Sequence, residues 1–110
     1  MIRQGTFDEL INRLDPFDRR LVQALATLRK RRGGTTLQTS HFELCHLLGI
    51  EYSPQNASRL DKSLGRLRMT PLHMRGPQSG FALTTRAIAT VEKETGSEKL
   101  TIGLGKLFAL

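Results

Sequence analysis

One hundred and ten residues suffice for one ordinary domain with a real core and are too few for two. No apolar run approaches the ~20 residues that span a bilayer, no signal-peptide block opens the chain, and a single cysteine excludes an internal disulfide and suits a reducing, cytoplasmic compartment. Seventeen basic against ten acidic side chains leave a net charge of +7 and a pI near 10.5; this favours polyanions, while the absence of bulky interfacial aromatics from the basic clusters argues against a membrane surface.

Charge is balanced over residues 1–20, and this stretch places Phe7, Leu10, Ile11 and Leu14 at helical spacing. Residues 1–14 therefore read as a short amphipathic helix or a docking arm. Asp15-Pro16 followed by Asp18 is a helix start. Phe17, Leu21, Val22, Leu25 and Leu28 carry its apolar face to about residue 32, where Gly33-Gly34 stops it. The basic run Arg29-Lys30-Arg31-Arg32 sits where the helix dipole favours cations. Residues 35–38 are β-prone. Thr39 or Ser40 then caps a second helix, with Ser40 and Glu43 spaced as a capping box. Phe42, Leu44, Leu47 and Leu48 supply its apolar residues, and Gly49 ends it.

A tight connection over residues 50–52 leads to Ser53-Pro54, an N-cap followed by a proline at the first helical position. In the helix that follows, to residue 68, Ala57, Leu60, Leu64 and Leu67 form an apolar stripe. At about 100° per residue, Gln55, Arg59, Lys62 and Arg66 project from the opposite side. Residues 70–75 alternate as a strand, with Leu72 and Met74 on one face, and residues 76–80 form a loop. From Phe81 to Val91 apolar and small residues alternate as in one long strand, although residues 87–94 also permit a helix. Two strands joined by a turn over residues 94–97 are preferred, because Leu100, Ile102 and Leu104 need a pairing partner. Residues 106–110 begin a further element.

A helix, a short strand, two helices joined by a tight turn and a β-hairpin make an α+β winged helix, here residues 15–110 behind the arm or short helix of residues 1–14. Several blocks carry a closer likeness: Asp15-Pro16-Phe17-Asp18, Phe42-Glu43-Leu44-Cys45-His46-Leu47-Leu48-Gly49, Arg59-Leu60-Asp61-Lys62-Ser63-Leu64-Gly65-Arg66-Leu67-Arg68, and Leu100-Thr101-Ile102 leading to Leu107-Phe108. In this order they resemble the winged-helix domain of plasmid replication initiators of the RepA/TrfA type. The resemblance implies binding of repeated origin sequences in double-stranded DNA, dimerisation, and host replication proteins as further partners. Such initiators look like two tandem winged helices. This chain has room for one, so the resemblance implies one half of an initiator or a small relative that represses or regulates.

In the major groove Arg and Lys suit guanine O6 and N7, and Gln suits adenine. Gln55, Arg59, Lys62 and Arg66 are therefore the expected base readers, with Asn56 and Ser58 beside them at the helix start, where phosphate contacts are common. Arg75 is the favoured phosphate contact among Arg68, His73, Arg75 and Arg86. The hairpin ending near residues 95–97 is expected to hold phosphates too. Thr39 and Ser40 are read as plain caps, and dipole complementarity accounts for residues 29–32.

His41 and Cys45 lie one helical turn apart, but His46 projects about 100° away and no second cysteine exists, so no zinc site and no cofactor is expected. Catalysis is not expected either. Tyr52 has no His-x-His pair to hold a metal near it, there is no phosphate-binding Gly-rich loop, and Cys45 and His46 diverge as neighbours on a helix. The competing reading is a protein-interaction module, because the apolar residues 7–14 and 104–110 both call for a covering surface.

Overall fold

Among the described residues, three of the four α-helices begin on the cap that the sequence offers. The computed structural model describes residues 4–75, 82–94, 96 and 98–109. Helix α1 (Gln4–Ile11) precedes α2 (Pro16–Arg32), where Asp15 Oδ1 accepts the Phe17 amide at 2.8 Å and Gly33, at φ 73°, donates its N–H to the Arg29 carbonyl. Strand β1 (Thr36–Ser40) runs straight into α3 (His41–Leu48). Ser40 Oγ accepts the Glu43 amide at 3.1 Å, and Gly49 closes α3 in the left-handed region. The Glu43 carboxylate takes the Thr39 hydroxyl at 2.6 Å and pairs with Arg32, so the last basic residue of α2 ties α2 to α3. Helix α4 (Pro54–Met69) starts on Ser53, whose Oγ accepts the Asn56 amide at 3.1 Å.

Four strands follow: β2 (Leu72–Arg75), β3 (Ala82–Thr85), β4 (Ile88–Lys93) and β5 (Lys99–Leu104), then a 3-10 turn over Lys106–Ala109. Strands β2 and β3 pair with each other, and the second sheet has the order β1-β5-β4, antiparallel throughout. The molecule is thus a mixed α+β fold with small antiparallel sheets. The loop expected over residues 76–80 lies outside the described residues.

The expected long strand from Phe81 is two strands with different partners. Arg86 and Ala87 interrupt it, because β3 pairs with β2 and β4 pairs with β5, and one straight strand cannot serve both. The break also shifts the alternation: Ala87 and Ile88 are buried while Ala89 is exposed, and an irregularity lies between Ile88 and Thr90. The hairpin between β4 and β5 closes as expected, with Glu94 N–H donating to the Lys99 carbonyl at 3.4 Å.

The core lies between the helices and the β1-β5-β4 sheet. Ile102 stands opposite Leu37 on one side and Val91 on the other, and Leu25, Leu44, Leu60 and Leu64 pack over this sheet as part of one apolar cluster. Phe42, expected in that core, is 60% exposed; Leu44, Cys45 and Leu48 form the buried face of α3 instead. Much of the apolar surface at the two ends is covered within the chain, although Leu110 lies outside the described residues. Leu10, Ile11 and Leu107 are buried, and the Phe7 ring sits 5.8 Å from that of Phe108.

Two glycines, Gly103 within β5 and Gly105 just past its end, differ in what a side chain would meet. A Cβ at Gly105 would lie 2.0 Å from the Arg86 carbonyl oxygen, whereas at Gly103 it would meet the Thr90 hydroxyl at 2.3 Å. Backbone cannot rotate away and a threonine side chain can. Gly105→Ala is therefore expected to cost about 2–3 kcal/mol and Gly103→Ala distinctly less, as read from chemical denaturation of the two variants.

Candidate nucleic-acid interface

Helix α4 presents three different surfaces. Leu60, Ser63, Leu64 and Leu67 are buried and Ala57 is half-buried, which is the expected stripe widened by one serine. Gln55, Ser58 and Lys62 are exposed on the far side, and Met69, two turns beyond Lys62, is exposed there as well. Among the described residues no ion pair or side-chain hydrogen bond holds Gln55, Ser58 or Lys62.

The flank toward α2 carries the two arginines. The Arg59 guanidinium stacks over the Phe17 ring at 3.9 Å from its centre, a cation–π contact that holds the stem while leaving the residue exposed. Arg66 is engaged more tightly. Its Nε donates to Asp18 Oδ2 at 3.1 Å and its Nη2 to Asp18 Oδ1 at 2.7 Å, and the Ser63 hydroxyl donates to Oδ1 at 2.5 Å. Burial pushes the Asp18 carboxyl up, but the hydrogen bonds from Arg66 and Ser63 outweigh it and hold its pKa below the ordinary value. The bonds that Arg66 gives to Asp18 raise its own pKa in turn. The Arg66 side chain remains 48% exposed, so the face of the fork turned from Asp18 is open to a further acceptor.

The other flank is occupied by Asp61. His41 Nε2 lies 2.7 Å from its Oδ1, and Lys93 Nζ donates to its Oδ2 at 2.6 Å. This carboxylate therefore links α3, α4 and β4. Burial raises its pKa, the bonds from Lys93 and His41 lower it, and the net direction is down.

The expected readers are thus distributed rather than gathered on one free face. Gln55, Ser58 and Lys62 stand outward, Arg59 and Arg66 are braced from α2, and the Asn56 side-chain amide donates to the Glu51 carbonyl at 2.6 Å inside the α3–α4 connection. Arg75 lies on β2 opposite Ala82, and its side chain is outside the described residues. His73 Nδ1 is 2.9 Å from the Thr84 hydroxyl, and its carbonyl accepts from Arg13. The β4–β5 hairpin carries Glu92, Glu94 and Glu98 against Lys93 and Lys99, so its side chains do not form a basic grip. Cys45 is buried in the core, where burial raises its thiol pKa, while His41 is engaged by Asp61.

The residues that sequence reasoning missed are acidic or aromatic. Asp18 looks like an N-terminal helix acid, and only the α2–α4 crossing reveals it as the anchor of Arg66. Asp61 is the lone acid of α4, which was a readable signal. Phe42 and Tyr52 form an exposed edge-to-face pair 5.7 Å apart, with the Tyr52 hydroxyl donating to Glu98 at 2.9 Å. No helix among the described residues is long and apolar enough to cross a membrane.

Comparison with known proteins finds no match to this chain among protein-family models, curated proteins or solved structures.

Proposed function

We propose that this chain is a winged-helix domain that binds double-stranded DNA by laying α4 in the major groove, and that it acts in the cytoplasm in plasmid replication initiation or its control. One observation carries the reading. Helices α2, α3 and α4 pack beside a sheet of order β1-β5-β4, and α4 keeps an outward face of Gln55, Ser58 and Lys62 flanked by Arg59 and Arg66. This is the order of elements by which a winged helix braces its recognition helix and leaves one face free. The hairpin β2–β3 is then an insertion between that helix and the wing.

Within this reading Lys62 and Gln55 take the base edges. Arg59 and Arg66, pre-aimed by Phe17 and Asp18, take phosphates on the α2 side, which lowers the entropy lost on binding. A homodimer would double the number of bases read from one short helix. Initiation itself rests on the resemblance to initiators, with host replication proteins as the further partners. Catalysis and a bound cofactor have no part in this mechanism.

The test is binding to duplex DNA across a salt series. The wild type is expected to weaken steeply as salt rises. Arg59→Ala with Lys62→Ala should lower affinity about tenfold or more and flatten the salt slope by about two. Unchanged affinity in the double variant would sink the assignment of α4. The exposed Phe42–Tyr52 pair, bordered by Glu51 and Glu98, favours a second reading as a protein-docking module; self-association without any DNA binding would select it.

A further inference from the structure

Of the three large hydrophobic side chains left exposed among the described residues, two stand together: Phe42 and Tyr52. Exposed aromatics in contact are the kind of surface that association covers. This pair is also held in place before any partner arrives. Phe42 sits on the first turn of α3, which Ser40 caps. The Tyr52 hydroxyl is bonded to Glu98 on the β4–β5 hairpin, and the Asn56 amide ties the connection down at the Glu51 carbonyl. Little side-chain freedom is left for binding to remove.

The charges around the pair are sorted, and a chain of contacts gives their order. Arg32, at the end of α2, pairs with Glu43, and Arg31 bears on the same carboxylate. Glu43 adjoins Phe42 in α3, the Phe42 ring meets Tyr52, and Tyr52 reaches Glu98. The order thus runs from the basic end of α2, through the two rings, to Glu98, with Glu51 beside Tyr52 in sequence. Glu43 is spent within the chain on Arg32 and Thr39, so the exposed Lys30 and Arg31 carry the surplus charge of the basic end. Glu51 and Glu98 are exposed at the acidic end. A surface ordered base, aromatic, acid is complementary to itself after a half-turn. A second copy rotated by 180° about an axis through the rings sets each basic end against the other copy's acidic end, with aromatic against aromatic between them.

We propose that the Phe42–Tyr52 face is the interface of a twofold dimer, its occupant a second copy of this chain, with Lys30 and Arg31 of each copy set against the Glu51 and Glu98 carboxylates of the other. The proposal rests on the protein-docking reading of the Phe42–Tyr52 pair and not on the α4 reading, whose outward residues it does not use. Two rings with two charged rims make a small patch beside the ~800 Å² per partner of a standard stable interface, so the dimer is a weak, concentration-dependent one.

The experiment is sedimentation equilibrium of the whole chain without DNA, from about 1 µM to about 1 mM, at low and high salt. Tyr52 is the sole tyrosine and there is no tryptophan, so intrinsic fluorescence reads the same surface. The variants are Phe42→Ser, Lys30→Glu with Arg31→Glu, and Glu51→Lys with Glu98→Lys. All five side chains are exposed, and circular dichroism checks the fold. The wild type is expected to dimerise with a dissociation constant of about 10–100 µM, and more weakly at high salt. Each variant alone should dimerise about tenfold more weakly or worse. An equimolar mixture of the two charge-reversed variants should recover a dimer to within about threefold of the wild type, because each supplies the charge that the other now needs. A wild type that stays monomeric to about 1 mM, a dimer unaffected by all three variants, or no recovery in the mixture overturns the proposal. Growth beyond the dimer overturns it too, since a twofold interface closes on itself. Duplex binding measured alongside separates the two readings. A monomer that binds DNA overturns this dimer and leaves the α4 reading intact, and a dimer that binds no DNA does the reverse.

Discussion

Arg66→Ala is expected to lower stability by about 2–3 kcal/mol at neutral pH, because it leaves the Asp18 carboxylate buried with Ser63 as its sole partner among the groups described around it. The half-exposed arginine places the effect below that of a fully buried pair. The pH dependence carries the sharper signature. In the wild type the folded Asp18 pKa lies below its unfolded value near 4. Its stabilising contribution is thus complete above about pH 4 and disappears as pH falls through the folded value. In the variant, burial without the guanidinium pushes the same carboxyl above its unfolded value, so acid relieves the penalty instead of adding to it. Urea midpoints measured from neutral to acid pH should therefore converge for the two proteins; parallel curves would refute the pairing. Asp18→Asn separates the two roles of Arg66. It removes the anchor and keeps the cation, so DNA affinity that falls in Asp18→Asn reports lost positioning rather than lost charge.

Leu60→Ala is expected to cost about 3 kcal/mol, with a melting temperature lowered by roughly 10 °C or more. Leu60 is fully buried at the middle of α4, where the helix meets the core. Two methyl groups and a methine carbon would leave a cavity whose walls belong to several elements and cannot all relax. Against a total stability of about 5–15 kcal/mol this is a large fraction. Thermal denaturation of the variant checks it, and a loss under about 1 kcal/mol would mean that the core closes over the gap. Any weakening of DNA binding in Leu60→Ala would be indirect, since the residue has no exposed atom to offer.

The boundaries of α2, α3 and α4 were legible to within a residue or two because they depend on local chemistry, whereas α1, which has no such cap, ends at Ile11 rather than running to residue 14. Asp15, Ser40 and Ser53 cap their helices by bonds to amides two or three residues away, and Gly33 and Gly49 end them by conformations that disfavour other residues. The hairpin partner of β5 was legible for a similar reason, since Leu100, Ile102 and Leu104 alternate and a turn lies close by. The break at Arg86 was not. It arises from competition between two pairing partners far apart in sequence, and nothing local marks it. At the candidate site, the exposure of Gln55 and Lys62 followed from helical period alone. The fate of Arg59 and Arg66 did not, because Phe17 and Asp18 come from another helix more than forty positions away. Period gives the side of a helix; it does not give what stands beside that side.

The central position of β5 also has a kinetic meaning. Its two neighbours, β1 and β4, are made earlier, and the pairing of Thr36 with Gly103 closes most of the chain into one loop. During synthesis α2, α3 and α4 emerge with their leucine faces complete but without the strand that completes the sheet beneath them. The arrival of the last strand is therefore expected to be the slow step of folding, because this long-range pairing must close the loop before its contacts form.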